Sequence, residues 1–333
     1  MATVFVSHPR NVLENYFGDR AMAALKAIVE VQINPGNDDL SSTQLAHHSK
    51  NCDVIISHRQ TVGDEALFAA APQLLAFVRC AIDIRNIDVD AANRHGVLVT
   101  QASAGFIVSV SEWVIGVMID LSRHISMTTE KYHSNQLVVP LMGRELRGST
   151  LGVIGYGQIG QYLCDVALAL GMNIVVHDPY KKVVRPEFEN IELNSLLKLS
   201  DYVVCLATAT NSTENMLDIN AFKTMKRSAF FINAARGNLV NEADLLASLD
   251  AGLIAGCALD VGRASDQMPS KLLSSHPKVI ATPHIGGLTP TAIEHQALET
   301  VNQVAELLKG NAPKGAINAQ QAFRWQKATK GAL

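Results

Sequence analysis

The sequence predicts an α/β protein with two parallel-sheet domains, and three observations lead to this prediction. The chain has 333 residues, which exceeds the length of one average domain. Short β-rich runs alternate with amphipathic helical patterns almost throughout, an order typical of βαβ units. Apolar residues make up 48% of the chain and charged residues 18%, so a sizeable core is expected and disorder is not.

The N-terminal third of the chain reads as alternating strands and helices. The hydrophobic spacing predicts strands at Val4–Ser7, Glu30–Ile33, Asp53–Ser57 and Leu75–Arg79, with helices over Asn11–Ile28, Ser41–Ser49 and Asp64–Ala70. This β-α-β-α order favours a mostly parallel sheet with helices on both faces.

A second unit is predicted to begin near Ala104. Apolar residues recur at helical spacing from Val108 to Ile125. A strand at Leu151–Ile154 then starts a series of βαβ units that runs to His284, and a final helix is predicted from Pro290 to Lys309. No flexible linker or low-complexity stretch occurs, so we expect ordered elements to join the two domains.

The charge balance argues against nucleic-acid binding, because 28 Lys and Arg residues face 31 Asp and Glu residues and the net charge is −3. The basic residues of the C-terminal tail, Arg324, Lys327 and Lys330, are expected to be solvated. No apolar run reaches about 18 residues, and the N-terminus reads as a strand and not as a signal peptide. We therefore expect neither a membrane span nor a membrane partner.

The cysteines predict a reducing compartment. There are five, an odd and scattered set among apolar residues, without a Cys-x-x-Cys pair or a zinc-binding spacing. We expect reduced, buried thiols, no metal site and a cytoplasmic protein. The five residues are Cys52, Cys80, Cys164, Cys205 and Cys257.

The strongest motif is a glycine-rich turn, Gly155-Tyr156-Gly157-Gln158-Ile159-Gly160, placed between a predicted strand and a predicted helix. In a dinucleotide-binding turn, Gly155 makes the tight turn, Gly157 admits a pyrophosphate to the helix N-terminus, and Gly160 allows close packing of helix on strand. Asp178 follows the next strand, 18 residues after Gly160, where a carboxylate accepts hydrogen bonds from the adenosine ribose and repels a 2′-phosphate. The pattern predicts binding of NAD(H) in preference to NADP(H), with the nearby Lys181 and Lys182 solvated.

Two further predicted strands end in residues suited to catalysis. Arg236 ends the strand in Phe231–Gly237, and His284 ends the strand in Val279–Gly287. Ligands of doubly wound sheets bind at the carboxyl ends of the strands. A guanidinium holds a carboxylate and a carbonyl by paired hydrogen bonds, and an imidazole exchanges a hydroxyl proton while hydride moves to or from nicotinamide. Taken singly, each residue could instead be structural, as a salt-bridged Arg or a buried His.

With these segments in place, the sequence resembles the D-isomer-specific 2-hydroxyacid dehydrogenases from about Asp53 to Leu308. The stretches that carry the resemblance are Gly155–Gly160, His177–Tyr180, Asn233–Gly237, Ala255–Val261 and Thr282–Gly287. The resemblance implies a discontinuous, flavodoxin-like substrate domain, residues 1–103 and 285–333, into which a Rossmann NAD domain, residues 104–284, is inserted. It also implies an active site in the cleft between the domains and a homodimer built on the NAD domains.

The resemblance assigns roles to individual residues. Arg236 is the expected substrate clamp, His284 the acid/base, and Asp260 the acceptor for the nicotinamide amide. Arg236 and His284 are also expected beside the cofactor. Further cofactor contacts fall on Gln158, Ile159, Thr208, Ala234 and Gly287.

One departure from the family lies in the loop that holds the substrate carboxylate. The family has Gly-x-Gly there, whereas this chain has Ala81 and Asp83 in the glycine places. The backbone N–H groups of Ala81 and Ile82 remain candidate donors. Asp83 would repel a carboxylate substrate unless it is turned away or neutralised, for which Arg85, Arg79 and Arg59 are the candidates. The His58-Arg59-Gln60 loop occupies a position that faces substrate in the family, so Arg59 is also a candidate substrate contact.

A second departure concerns the acid that pairs with the catalytic His. The family has a Glu 29 residues after its Arg, a position that is Ser265 here. Asp266, the next residue, could replace that acid if the loop is reshaped, and His284 could otherwise work without a carboxylate partner. Such an acid favours the protonated imidazole and fixes its tautomer.

The expected function is NAD-dependent interconversion of a small D-2-hydroxy acid and its 2-keto acid. Two alternatives stay open. The first is an NAD(H)-sensing, corepressor-like binding protein with little turnover, which the altered loop and the missing Glu keep in play. The second is a short form of phosphoglycerate dehydrogenase.

Overall fold

The computed structural model describes residues 2–183, 185–264 and 266–330, which form two compact units. Unit 1 takes its residues from Met1–Gly105 and Pro290–Leu333, and unit 2 from Phe106–Thr289. The boundaries thus follow residues 105 and 289, where the sequence predicts 103 and 284. The second boundary lies further along the chain because Asp260 of unit 2 accepts hydrogen bonds from the backbone N–H groups of Ile285 and Gly286.

Within residues 2–105, unit 1 has five strands and five helices. The strands are β1 Thr3–Val6, β2 Glu30–Ile33, β3 Val54–Ser57, β4 Ala76–Arg79 and β5 Leu98–Gln101. The helices are α1 Arg10–Tyr16, α2 Asp19–Lys26, α3 Ser42–His48, α4 Glu65–Ala70 and α5 Val89–His95.

The described part of unit 2 has seven strands, β6 to β12. The strands are β6 Thr150–Ile154, β7 Asn173–His177, β8 Phe188–Asn190, β9 Tyr202–Cys205, β10 Phe230–Asn233, β11 Gly256–Leu259 and β12 Val279–Ala281. The α-helices are α6 Ile107–Arg123, α7 Ile125–His133, α8 Gln158–Ala169, α9 Leu193–Leu199, α10 Ile219–Thr224, α11 Glu242–Asp250 and α12 Lys271–Ser274. A 3₁₀ turn spans Gly237–Leu239, and the chain returns to unit 1 with α13 Pro290–Leu308 and α14 Phe323–Lys330.

Both sheets are parallel and doubly wound, which confirms the predicted fold class. The order in unit 1 is β2-β1-β3-β4-β5, so the winding direction changes between β1 and β3. The order in unit 2 is β12-β11-β10-β9-β6-β7-β8, and its change falls between β6 and β9. In such sheets the switch point opens a crevice at the carboxyl ends of the strands, where ligands bind.

Alternating side chains of the strands build a core on each face of each sheet. In unit 1, Val4 and Val6 face the core that includes α13, whereas Phe5 faces the core that includes α4. In unit 2, Val153 packs with residues of α6 and α8, and its neighbour Ile154 packs on the opposite face. Burial on both faces explains why the strands read as continuous apolar runs.

The predicted helix over Asn11–Ile28 is wrong in one respect, because it is two helices. Gly18 lies between α1 and α2 with φ +81°, a left-handed conformation that glycine adopts at no steric cost and that a helix interior does not allow. Similarly, His124 with φ +56° ends α6 where the prediction extends to Ile125, and α7 follows at once.

The prediction of a solvated basic tail is wrong for Arg324. This residue lies in α14, and its guanidinium donates hydrogen bonds to the backbone carbonyls of Ala71 at 2.8 Å and Leu74 at 3.4 Å. Trp325 beside it is buried in the unit 1 core. The burial of Trp325 and the hydrogen bonds from Arg324 to carbonyls beyond the end of α4 therefore hold α14 against the rest of unit 1.

All five cysteines are free and buried, as predicted. Burial raises the pKa of the Cys205 thiol to about 12, so it stays protonated at neutral pH. Within the described residues, we find no helix with both the length and the apolar character that a membrane span requires.

Candidate active site

Two glycines of the turn after β6 are required by the fold itself. Gly155 has φ +99°, and a Cβ at this position would lie 2.7 Å from the backbone of Leu206 and Ala207. A Cβ on Gly160 would collide with the carbonyl oxygen of Gly155, because α8 packs directly against the end of β6. Neither position accepts a side chain without displacement of backbone.

The middle glycine is different, because no described residue occupies the space beside it. Gly157 has φ −71°, which any residue can adopt, and a Cβ there would meet no heavy atom of the described residues within 4 Å. It is the N-cap of α8 and provides no side-chain cap for the first N–H groups of that helix. The open space and the unsatisfied helix N-terminus fit a dinucleotide pyrophosphate, which such N–H groups bind.

Asp178 lies next to this turn and is fixed by backbone donors. Its Oδ2 accepts a hydrogen bond from the N–H of Tyr156 at 2.7 Å, and its Oδ1 accepts from the N–H groups of Tyr180 and Lys181, both at 2.9 Å. Partial burial opposes ionisation, but these three donors and the Lys181 ammonium outweigh it and lower the pKa of the carboxyl. Asp178 is therefore ionised and rigidly placed at the end of β7.

Arg236 is half-buried in the turn that follows β10. The buried side chain of Asn233 fixes this turn: its Oδ1 accepts from the N–H of Ala235, and its Nδ2 donates to the carbonyl of Arg236, both at 3.0 Å. The Arg236 Nη1 donates to the carbonyl of Ala235 at 2.7 Å. Sequence reasoning missed Asn233 as a site residue, although a buried amide at the end of an apolar strand is a usable signal.

His284 follows β12 in a left-handed conformation, with φ +57°. The carboxylate of Asp260, which is buried, holds the turn that carries it. Oδ1 accepts from the Thr282 hydroxyl at 2.6 Å and the Ile285 N–H at 2.8 Å, and Oδ2 accepts from the Gly286 N–H at 2.7 Å. Asp260 thus positions the His284 turn, and its expected contact with a nicotinamide amide stays a prediction.

The other predicted cofactor contacts lie at the same edge of the unit 2 sheet or beside it. Gln158 and Ile159 form the first turn of α8, and Ala234 follows β10. Thr208 is exposed after β9, where its carbonyl accepts a hydrogen bond from the Thr213 hydroxyl at 2.9 Å. Gly287 lies beside Phe106, whose Cβ would be 3.1 Å from an added Cβ.

Two positions bear on the acid expected to pair with His284, and the structure describes one of them. Ser265 lies outside the described residues. Asp266 is exposed, and its Oδ1 accepts a hydrogen bond from the Met268 N–H at 2.9 Å. Whether Asp266 couples to His284 stays a prediction.

Unit 1 organises the loop after β3 around a fully buried arginine. The Arg79 guanidinium donates to the carbonyls of His58 and Thr61, to the Ser57 hydroxyl and to the side-chain carbonyl of Asn86. Burial lowers its pKa to about 10, so it remains charged at neutral pH. Arg79 therefore supports the backbone of the loop, and its charge also interacts favourably with Asp83.

Arg85 makes the direct ion pair with Asp83. Its Nη2 lies 2.7 Å from Asp83 Oδ2, and its Nε lies 3.0 and 3.1 Å from the two carboxylate oxygens. Within the described residues, the N–H groups of Ala81 and Ile82 donate to no protein acceptor, which leaves them able to bind a substrate oxygen. Arg59, the other candidate contact, stacks its guanidinium over the Tyr16 ring with 5.2 Å between their centres.

Sequence reasoning missed a histidine pair at the switch point of unit 1. His8 follows β1 and His58 follows β3, and their ring centroids are 5.1 Å apart. Asp39 holds His58 through Nδ1 at 2.9 Å, while burial, His58 and Arg79 lower the pKa of His8 well below its ordinary value. The available signal was that both histidines directly follow strands that are neighbours in a doubly wound sheet.

Comparison with known proteins identifies the family of this chain. Residues 115–286 match the model of the D-isomer specific 2-hydroxyacid dehydrogenase NAD binding domain. The chain is 33% identical over 272 residues to D-3-phosphoglycerate dehydrogenase of Bacillus subtilis, covering 80% of this chain and 51% of that protein. It is 31% identical to hydroxypyruvate reductase of Thermotoga maritima, covering 80% of this chain and 89% of that protein.

The fold also matches solved structures. D-lactate dehydrogenase from Escherichia coli superposes with a TM-score of 0.83 at 22% identity, over 95% of this chain and 100% of that one. The chain spans about half the length of the curated phosphoglycerate dehydrogenases that it matches. By the family model and by these relatives, the chain belongs to the D-isomer specific 2-hydroxyacid dehydrogenase family.

Proposed function

We propose that this protein is an NAD-dependent dehydrogenase that interconverts a small D-2-hydroxy acid and its 2-keto acid. The observation that carries the proposal is the placement of three groups at one edge of the unit 2 sheet. The open glycine turn follows β6, Arg236 follows β10, and His284 follows β12. Because all these strands are parallel, their carboxyl ends lie at the same edge.

Each group has a role in this reaction. Bound NAD would supply the hydride acceptor or donor, with its pyrophosphate at Gly157 and its ribose at Asp178. The Arg236 guanidinium binds the carboxylate and carbonyl of the substrate and polarises the carbonyl. His284 donates a proton to the carbonyl oxygen in reduction and removes it from the hydroxyl in oxidation. In unit 1, the Ala81 and Ile82 N–H groups and Arg59 are the proposed substrate contacts.

The names of the relatives suggest the substrates to test first. These are 3-phosphohydroxypyruvate and hydroxypyruvate, the keto acids that correspond to phosphoglycerate dehydrogenase and hydroxypyruvate reductase. Pyruvate, the substrate of D-lactate dehydrogenase, completes the panel. Oxidation of NADH with at least one of these acids is expected. Tight NADH binding without turnover on any of them would favour the alternative, a corepressor-like NAD(H) sensor.

We also propose a homodimer formed through unit 2. The support is an exposed apolar segment after α7, in which Leu137 is 88% exposed and Met142 96% exposed. Large apolar side chains exposed in series mark interaction sites, and the family resemblance implies a second copy as the occupant. Sedimentation velocity of the protein and of Leu137→Asp tests this, since the variant should sediment as a monomer. For the location we propose the cytoplasm, supported by the five buried, unpaired thiols.

Substitution by alanine should have different effects at Gly157, the N-cap of α8, and at Gly160, in the first turn of that helix. Gly157→Ala should fold with unchanged Tm but bind NADH at least about tenfold more weakly, because its Cβ enters open space that the pyrophosphate would use. Gly160→Ala should lower Tm, because its Cβ meets the Gly155 carbonyl. Thermal unfolding and NADH fluorescence titration measure both effects. Normal NADH affinity in Gly157→Ala would place the cofactor elsewhere.

Cofactor preference should follow Asp178. We expect kcat/KM with NADH to exceed that with NADPH by about tenfold or more, or about 1.4 kcal/mol, because the ionised carboxylate repels a 2′-phosphate. Asp178→Ser should reduce the ratio, whereas Lys181→Met should leave it unchanged. Equal efficiency with both cofactors in the unaltered protein would contradict this use of Asp178.

Substrate clamping should depend on the planar guanidinium of Arg236. Arg236→Lys keeps the charge but loses the two-point hydrogen bond, so kcat/KM for the keto acid should fall about tenfold to a hundredfold. NADH affinity should stay within a few-fold. The matched control is Arg227→Lys, an exposed arginine that precedes β10, which should have normal kinetics. If Arg236→Lys keeps most of its kcat/KM, Arg236 is structural and the clamp lies elsewhere, with Arg59 or Arg85 next to test.

The role of Asp266 can be tested by the pH dependence of keto-acid reduction. A carboxylate near His284 favours the imidazolium that reduction requires, so the rate should fall as pH rises through a midpoint above about 6.5. Asp266→Asn should move this midpoint down by about one pH unit and should slow reduction near neutral pH more than oxidation. Glu189→Gln, in the exposed edge strand β8, is the control. An unmoved midpoint in Asp266→Asn would show that His284 works without this acid.

A further inference from the structure

We propose that Arg263 is a positioning residue that fixes the backbone of the loop carrying Arg236 and so aims the substrate clamp. The inference rests on the proposed function, because it takes Arg236 as that clamp. Arg263 lies in the turn Gly262-Arg263 after β11, and β11 is the neighbour of β10 in the sheet.

The Arg263 side chain joins three loops at the carboxyl edge of unit 2. Its Nε donates to the carbonyl of Val240 at 3.1 Å, and its Nη2 donates to the carbonyl of Asn238 at 2.9 Å and to the side-chain carbonyl of Asn215. Its Nη1 lies 2.8 Å from the carboxylate of Glu214. One planar guanidinium therefore reaches the loop after β9 and the loop after β10 from the loop after β11.

The hydrogen bonds from Arg263 to the loop after β10 go to residues that closely follow Arg236 in the chain. Asn238 lies in the 3₁₀ turn that begins at Gly237, and Val240 directly follows that turn. Gly237 packs against the backbone of Gly262, so closely that a Cβ on Gly237 would collide with the Gly262 carbonyl group. The Arg236 turn is thus held on one side by Asn233 and on the other by the Gly262-Arg263 turn.

The loop after β9 completes the arrangement. The N–H of Asn215 donates to the carbonyl of Asn238 at 2.9 Å, and the N–H of Leu217 donates to that of Leu239 at 3.1 Å. Hydrogen bonds from Arg263 and Asn238 lower the pKa of the Glu214 carboxyl, so it is ionised and balances the Arg263 charge. Charge balance and the short reach to backbone carbonyls favour a role in loop geometry over a direct role in binding an anion.

Only arginine can make this set of contacts at once. Its N–H groups diverge in one plane toward separate acceptors, whereas a lysine ammonium is a point charge on a flexible stem. Arg263→Lys should keep the pairing with Glu214 and lose the simultaneous contacts to Asn238 and Val240. The Arg236 guanidinium would then be aimed less well, and small displacements of a substrate-positioning group cost catalysis steeply.

The experiment is a double-mutant cycle on keto-acid reduction with Arg263→Lys, Arg236→Lys and the double variant. We expect Arg263→Lys to lower kcat/KM by about tenfold, with NADH affinity within about twofold. If Arg263 acts through Arg236, the double variant should be no more than about twofold worse than Arg236→Lys alone. Multiplication of the two single effects in the double variant would overturn the proposal.

Two further variants separate positioning from general stability. Lys226→Met removes an ion pair with Asp201 at the opposite edge of the same sheet, and it should lower Tm while leaving kcat/KM unchanged. Asn215→Gly keeps the φ of +54° accessible and removes one acceptor of Arg263, so it should fold and reduce kcat/KM by about two- to threefold. Normal kcat/KM in both Arg263→Lys and Asn215→Gly would overturn the inference.

The failure of this inference is distinguishable from failure of the proposed function. If Arg236→Lys is impaired but Arg263→Lys is not, the clamp stands and the positioning role is wrong. If Arg236→Lys has normal kinetics, the clamp assignment itself is wrong, and with it the inference that depends on it.

Discussion

Parallel strand pairing is the constraint on which the arrangement of both units depends. Every neighbouring pair of named strands in the described residues is parallel, so all carboxyl ends of a sheet lie at one edge. Residues far apart in the chain, such as Gly157, Arg236 and His284, are thereby brought to the same edge of unit 2. The hydrophobic cores on both faces keep this pairing in register, and the polar edge residues need only local support.

That local support comes from side chains that satisfy backbone groups of sharp turns. Asn233 holds the Arg236 turn, Asp260 holds the His284 turn, Asp178 binds the N–H that lies between the first two motif glycines, and Arg79 binds carbonyls in unit 1. A buried donor or acceptor without a partner costs about 1–3 kcal/mol, so each turn is stable only with its own supporting residue. The turns that carry Arg236 and His284 are consequently held by other side chains, Asn233 and Asp260.

Sequence reasoning predicted what depends on local pattern and missed what depends on packing between distant segments. The strand β2 and the glycine turn follow from periodicity and spacing, and both were predicted at their observed positions. The division of the first long helix at Gly18 was missed because a lone glycine does not reveal its φ. The sequence left Arg85, Arg79 and Arg59 as candidate partners of Asp83, because only the folded geometry shows that Arg85 makes the direct ion pair. The network around Arg263 joins residues from three loops and has no local signal.

The discontinuity of unit 1 has a consequence for the order in which the chain folds on the ribosome. Strand β5 is completed by residues synthesised after unit 2: the N–H of Val99 donates to Asn318, and the N–H of Gln101 donates to the carbonyl of Gly315. Helix α13 also supplies part of the unit 1 core. Unit 2 is therefore translated, over on the order of ten seconds or more, before α13 and the segment that bonds to β5 are made. During this time one face of the unit 1 sheet and its β5 edge are exposed to solvent. Unit 2 can reach its native state first, and the N-terminal segment is the part of the nascent protein most exposed to aggregation and to chaperones.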